Sequence, residues 1–254
     1  MPIDYQSDLN PAQLAAATHA DGPLLVIAGA GSGKTRTIVY RLARLVENGT
    51  RPDHILLLTF TRKASQEMLT RAGYLLGMGL SQAAGGTFHS FAYSQLRRYS
   101  EFAGLGKGFT IMDRSDAAQM VKEAREKLGL GKGDKAFPKR DTCLELISKA
   151  RNKELSLEQT VMAEYFHLVP YADDLSRLAT QYAELKRAHG MLDYDDLLFE
   201  LERLLLAEPH VKKSVNERWR HVMVDEYQDT NLVQARLVKL LAGEAMNVCA
   251  VGDD

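Results

Sequence analysis

The sequence predicts an α/β protein whose parallel sheet is interrupted by an inserted helical block. Three observations carry this expectation. Short apolar runs such as "LLVIA", "ILLLT" and "VMV" are continuously apolar rather than alternating, as in strands covered on both faces of a parallel sheet. Helix-period segments separate most of them, which is the order of βαβ units. Residues 92–190 then carry helical patterns with no convincing strand, far longer than an ordinary βα connection.

Taken in order, the expected strands are "PLLVIAG" (23–29), "HILLLTF" (54–60), "GGTFHSF" (85–91, the weakest), "HVMVDE" (221–226) and "NVCAVGD" (247–253). "TRTIVYRLARLVENG" puts Ile38, Leu42, Leu45 and Val46 on one helical face and ends at Gly49, a suitable C′ residue. "LVQARLVKLLAG" repeats that arrangement and closes at Gly243. Within the insertion, "DAAQMVKEAREKLGLG" and "LSRLATQYAELKRAHG" read as helices. The expected division is a discontinuous α/β domain, 1–91 and 191–254, around a helical insertion, 92–190.

The chain has 254 residues, 45% of them hydrophobic, and Lys+Arg 32 against Asp+Glu 33 leaves a formal charge of −1. A broad basic footprint for nucleic acid is therefore excluded, and any such surface must be local. Residues 105–155, Lys107 among them, hold twelve Lys/Arg against eight Asp/Glu. Cys143 and Cys249 stand far apart in apolar-flanked segments, neither a disulfide framework nor a metal site. The polar start and the lack of any apolar run near the ~20 residues of a membrane helix predict a soluble, cytoplasmic protein.

"AGAGSGKT" (28–35) departs from the phosphate-loop string G-x-x-x-x-G-K-[ST] only in Ala28, at the expected strand end. It follows an apolar strand and opens an amphipathic helix, the setting in which backbone N–H groups and the helix dipole hold phosphate. Ala28, Gly29, Ala30, Gly31, Ser32 and Gly33 would form the cradle, with positive φ expected at glycines 29, 31 and 33. Lys34 would reach the β- and γ-phosphates, and the Thr35 hydroxyl would ligate Mg²⁺. Downstream, "HVMVDEYQDT" places Asp225 and Glu226 at a strand end, where ligand crevices of open α/β sheets lie. Asp225 would complete the Mg²⁺ shell, and Glu226 would orient and deprotonate an attacking water. Solvated acids capping a strand are the plainer alternative.

"LNPAQLAAA", "AGAGSGKTRT", "LLLTFTRKASQEM", "GGTFHSFA", "LDYDDLL", "VDEYQDT" and "VGDD" occur in this order over residues 9–254. Together they resemble the amino-terminal half of superfamily 1A DNA helicases of the UvrD/Rep/PcrA kind. The resemblance implies a RecA-like P-loop NTPase domain (1A) with an inserted all-helical subdomain (1B). It implies ATP and Mg²⁺ as cofactors, and single-stranded DNA and single/double-strand junctions as partners. It also implies 3′-to-5′ movement and a nucleoid-associated location. A further C-terminal RecA-like domain, bearing arginines for the ATP cleft, would follow. Residues alone leave oligomeric state open.

Each motif keeps a second reading beside the implied one. Asn10-Pro11-Ala12-Gln13 fits an N-cap, an N1 proline and an N3 glutamine, so Gln13 can be a capping-box residue; the resemblance has it read adenine. Arg36 would lie against the base, or be an exposed first-turn arginine. Phe60 would stack a DNA base, or sit half-buried in the core. Thr59, Thr61, Arg62 and Lys63 would hold phosphates, although many relatives carry Asn where Arg62 stands. His89 would contact DNA or pack in the core. Tyr194, usually Phe in relatives, would contact a base, while Asp193 caps a helix and Asp195 and Asp196 are structural. A GTPase is disfavoured because "RNKE" (151–154) lacks the guanine-reading Asp. The motor of a helicase–nuclease subunit and an ATPase-inactive DNA-binding adaptor are the alternative functions, the latter opposed by intact Lys34, Thr35, Asp225 and Glu226.

Overall fold

The structure is a computed structural model that describes residues 3–105 and 108–253. Lys107 and Asp254, both used above, lie outside the described residues. The chain divides into two compact units. The first takes in residues 1–94, 202–230 and 234–254, and the second residues 95–201 and 231–233.

The first unit is built on a five-stranded, all-parallel sheet. Its strands are β1 (Leu24–Ile27), β2 (Ile55–Leu58), β3 (Ala84–Gly86), β6 (His221–Val224) and β7 (Val248–Gly252), in the order β1-β7-β6-β2-β3. β2 is buried at every position, and β6 and β7 nearly so, which suits their continuous apolar runs. β1 does not follow that expectation. It is an edge strand with alternating burial, and Leu25 and Ile27 are each 61% exposed. Leu24 and Val26 pack against a core that includes Ile38, Leu42, Leu45, Leu57 and Met223.

The helices that follow these strands begin and end where local chemistry dictates. Lys34–Glu47 starts at Gly33 in the left-handed region and ends with Asn48 as C-cap, after which Gly49 has φ 92°. Leu232–Ala242 ends similarly at Gly243, φ 60°. The expected strand over 85–91 is only half right, because β3 stops at Gly86 and a helix runs from Phe88 to Arg98. Thr87 and Ser90 explain the stop. The Ser90 hydroxyl accepts from the Thr87 N–H at 3.0 Å, and the Thr87 hydroxyl accepts from the Ser90 N–H at 3.2 Å. That reciprocal cap starts a helix immediately.

The second unit is mainly helical: Arg114–Leu128, Arg140–Lys153, Leu157–Glu164 and Ala172–Ala188 enclose a separate core containing Val121, Leu146, Val161, Leu178 and Tyr182. It is not all-helical. β4 (Thr110–Ile111) pairs in parallel with β5 (Met191–Leu192), a two-residue ladder too short for hydrophobic patterning to announce. Three of the unit boundaries fall within helices, Phe88–Arg98, Asp196–Ala207 and Leu232–Ala242, and the fourth falls between Thr230 and Asn231.

Candidate functional site: a strand-end phosphate loop and carboxylate pair

Parallel strands deliver their C-terminal ends to one edge of the sheet, and β7 lies between β1 and β6. The loop after β1, the carboxylates after β6 and the residue after β7 therefore meet there.

The loop after β1 uses its residues unequally. The Ala28 N–H donates to the Gly252 carbonyl at 3.0 Å, so Ala28 still belongs to the sheet ladder and a Cβ is tolerated. The Ser32 N–H closes a turn onto the Gly29 carbonyl at 3.3 Å. Positive φ occurs at Gly31 (76°) and Gly33 (88°) but not at Gly29, which corrects the expectation for that residue. Gly33 caps the following helix with backbone only, so no side chain occupies its first N–H groups. Thr35, half-buried, is the second residue of that helix.

Lys34 is bound at both ends of this edge. Its Nζ donates to the Ala28 carbonyl at 3.0 Å and forms an ion pair with Asp253 at the end of β7. That hydrogen-bonded pair, more than the opposing cost of burial, pushes the Lys34 ammonium above its ordinary value. The Asp253 N–H donates to Gln228 Oε1 at 3.0 Å, and Gln228 Nε2 donates to Glu226 Oε2 at 2.8 Å. Lys34, Asp253, Gln228 and Glu226 thus form one connected line. Sequence reasoning gave no role to Gln228 or Asp253. The available signal was their place in "YQDT" and "VGDD", each directly after a strand.

Asp225 ends β6 at 8% exposure, and its N–H donates to the Leu58 carbonyl at 2.9 Å. Burial, aided by the neighbouring Glu226 charge, pushes its carboxyl up to about 6. Glu226 has φ 51° and ψ 48°, a left-handed conformation that non-glycine residues adopt at a cost of roughly 1–3 kcal/mol. It opens a tight turn, Tyr227–Asp229, closed by the Thr230 hydroxyl donating to the Tyr227 carbonyl at 2.7 Å.

Gln13 does two things at once. Its Oε1 accepts from the Asn10 N–H at 3.1 Å while Asn10 Oδ1 accepts from the Gln13 N–H at 2.9 Å, a complete capping box. Its Nε2 also donates to the Ser32 carbonyl at 2.9 Å, fixing the amide against the phosphate loop. Arg36 is exposed yet held: Nη2 donates to the Asp8 carbonyl at 2.7 Å, and its guanidinium lies 5.3 Å from the Tyr40 ring centre.

The corner after β2 presents a different surface. Phe60 is 74% exposed, so it is not a core residue. Thr61, Arg62 and Lys63 are exposed beside it. Thr61 N-caps the Arg62–Leu76 helix by accepting from the Ala64 N–H at 3.1 Å. Thr59 is buried at 2%, with its hydroxyl donating to the Thr61 carbonyl at 2.6 Å, so its side chain shapes this corner rather than facing outward as expected of a phosphate ligand. His89 is half-buried in the first turn of the Phe88–Arg98 helix.

Tyr194 belongs to the helical unit and is 58% exposed. Its flanking acids are tied inward. Asp193 Oδ1 caps the Asp196 N–H at 2.9 Å, and Lys186 Nζ donates to Asp193 Oδ2 at 2.5 Å and Asp196 Oδ2 at 2.6 Å. Burial pushes the Asp193 carboxyl up, but Lys186, the Asp196 N–H and Arg151 together hold the group below the ordinary aspartate value.

Residues 9–254 match the family described as UvrD/REP helicase N-terminal domain. The ATP-dependent DNA helicase PcrA of Bacillus subtilis is 37% identical over 250 residues, covering 97% of this chain and 33% of that protein. DNA helicase II of Escherichia coli is 35% identical over 257 residues, covering 100% of this chain and 35% of that protein. A probable DNA helicase II homolog of Rickettsia felis is 36% identical over 255 residues. The chain spans about a third of the length of these relatives. With the phosphate loop, the strand-end carboxylates and the family match in agreement, the chain belongs to the UvrD/REP helicase N-terminal domain family.

Proposed function

We propose that this chain is the ATP-binding portion of an ATP-dependent DNA helicase that moves 3′ to 5′ along single-stranded DNA. The observation that carries this reading is the connected line from the phosphate loop through Lys34, Asp253 and Gln228 to Glu226. That the Lys34 ammonium and the Glu226 carboxylate belong to one hydrogen-bonded set supports giving them the phosphate-binding and general-base roles.

The chemistry follows from these residues. Lys34 exchanges its Asp253 partner for the β- and γ-phosphates of ATP. Glu226 accepts the proton of an attacking water, with Gln228 steadying one carboxylate oxygen. Gln13 retains one N–H and one carbonyl lone pair beyond its present bonds. That is the pair of functions needed to read the adenine N6/N7 edge. Arg36 lies against the base. Magnesium fits the donors present, because Thr35 and Asp225 offer hard oxygen ligands and Asp225 is a buried carboxylate that gains from a cation. No cluster of three or more His, Cys, Asp or Glu able to hold a metal occurs among the described residues, which suits an ion completed by nucleotide phosphates. When bound, the ion would neutralise phosphate charge.

Phe60 stacks a DNA base, while Thr61, Arg62, Lys63 and His89 hold the backbone and Tyr194 contacts a further base. Thr61 accepts with its hydroxyl oxygen as a cap, so its O–H remains to donate to phosphate. Single-stranded DNA and single/double-strand junctions are the partners. A second RecA-like domain supplies arginines to the cleft, a contribution of about 10³–10⁵ in rate in other NTPases. The reading places the protein in the cytoplasm, at the nucleoid. No helix among the described residues is long and apolar enough to cross a membrane.

Hydrolysis of ATP by the full-length protein, with and without single-stranded DNA, tests this. DNA should stimulate turnover, and Glu226→Gln should abolish turnover while nucleotide still binds. Undiminished turnover in Glu226→Gln, or indifference to DNA, would contradict the reading.

A further inference from the structure

The helix that carries Gln13 is short and weakly anchored by its own side chains. Pro11–Thr18 has eight residues, below the roughly 12–15 at which an isolated helix becomes stable. Its buried side chains are Ala16 and Ala17, with Leu14 partly buried against the core of the sheet unit. Alanine methyls bury little apolar area, so packing alone fixes its position poorly. Its start is held by the Asn10–Gln13 capping box and by Gln13 Nε2 on the Ser32 carbonyl. The hold on its other end comes from the helix that follows the phosphate loop.

Arg41, on the Lys34–Glu47 helix, is 4% exposed. Its Nη1 donates to the Ala16 carbonyl at 3.0 Å and to the His19 carbonyl at 2.9 Å, in the last turn of the Gln13 helix and at its C-cap. Carbonyls at a helix C-terminus lack intrahelical partners and carry the negative end of the dipole, so a guanidinium satisfies both needs. As a device for stability the arrangement is a poor one. Nε is buried with no hydrogen-bond partner, and burial pushes the guanidinium below its ordinary value. Asp21 supports the charge without a hydrogen bond. A buried cation of this kind can be exchanged for an apolar side chain at little loss of stability.

We propose that Arg41 is a positioning residue for base selection: it clamps the Gln13 helix to the helix behind the phosphate loop and so sets the Gln13 amide where adenine is read. This rests on the adenine role given to Gln13 above. Arg41 itself touches no nucleotide; it acts through the Gln13 helix. Gln13 and Ala16 lie one helical turn apart, so a hold on the Ala16 carbonyl is a hold on Gln13. Released at Ala16, the helix can pivot and keep its capping box, which is internal to it, while losing the contact between Gln13 and Ser32, which is not. Lys34 stands on the helix that does the clamping, so phosphate binding and base selection should separate.

Calorimetric titration of the full-length protein with Mg²⁺ and, in turn, ATP, GTP and inorganic tripolyphosphate tests this. The parent should favour ATP over GTP, and Arg41→Met should shrink that preference by about three- to tenfold, the worth of one hydrogen bond. Tripolyphosphate, which has no base, should bind parent and variant within about twofold of one another, as for independent sites. Arg41→Lys keeps a cation at the helix end without the planar fork, so its preference should fall between those of the parent and Arg41→Met. Should Arg41→Met not fold, Arg41→Lys alone carries the same test. Thermal unfolding like that of the parent confirms that each variant is folded. Adding Arg41→Met to Gln13→Ala should shrink the preference no further, because both act through one amide. An undiminished preference in the Arg41 variants overturns the proposal, as does an equal loss of affinity for ATP, GTP and tripolyphosphate, the sign of a general packing role. Gln13→Ala separates this from failure of the underlying reading. An unchanged preference there removes Gln13 from adenine recognition, whereas a lost preference in Gln13→Ala beside an intact one in the Arg41 variants removes only the clamp.

Discussion

At the scale of single residues, the departure at Ala28 is explained by what its backbone does. Its N–H is engaged in the ladder and its carbonyl receives Lys34, while the positive φ angles fall on Gly31 and Gly33. Only those two glycines carry the conformational demand of the loop. Phe60 shows the converse, a residue whose type was legible but whose environment was not. A phenylalanine leaving a buried strand reads as core, yet it is 74% exposed because the chain turns at Thr59 and Thr61 to start a helix. Phe60→Ala should weaken single-stranded DNA binding by a stacking increment of roughly 1–3 kcal/mol. It should leave the salt dependence alone, since stacking releases no counterions. Lys63→Ala should instead lower the slope of log affinity against log salt by about one. Anisotropy titrations at several salt concentrations separate the two. Destabilisation without loss of DNA affinity in Phe60→Ala would return it to a packing role.

At the scale of elements, continuous apolarity identified four strands correctly but said nothing of their place in the sheet. β2 and β1 look alike in sequence, and only the strand order makes one central and the other an edge. Leu57→Ala, at a fully buried position, should cost about 2–5 kcal/mol. Leu25→Ala, 61% exposed, should stay within about 0.5 kcal/mol. The shift in urea midpoint measures both, and equal costs would mean that β1 is covered on both faces. β4 and β5 escaped detection for a physical reason, since each is two residues long and leaves almost no side-chain pattern, while β3, three residues long, was legible only with its end misplaced. The acid-rich turn at 193–196 was legible as a helix start, but its ion pairs come from residues far away in sequence. Asp193 has a depressed folded value, so its contribution is present above the ordinary aspartate pKa and is lost as pH falls through the folded value. Lys186→Met strips the ammonium from buried Asp193 and leaves Asp196 with Arg151 alone, at a cost of about 3–5 kcal/mol near neutrality. It should also reverse the local sign, so that the variant gains stability relative to the parent as pH falls from about 7 to 5. Chemical denaturation at a series of pH values reads this directly, and a parallel pH dependence in parent and variant would refute it.

At the scale of the whole molecule, the two units and the strand-end site rest on connectivity that periodicity exposes well. The long helical interval between strands announced the insertion, and the order of motifs announced which loops would share an edge. The contacts inside that edge were not legible, because Lys34 and Asp253 are separated by most of the chain and meet only through the β1-β7-β6 order. We propose that this edge binds magnesium-ATP through Lys34, Thr35 and Asp225, with Gln13 selecting adenine. Titration of a fluorescent ATP analogue into the protein with Mg²⁺ tests it most directly. Saturable binding, removed by Lys34→Ala and displaced more effectively by ATP than by GTP, is the predicted result. Equal binding by Lys34→Ala would contradict the phosphate assignment, and preferential displacement by GTP would contradict the adenine assignment.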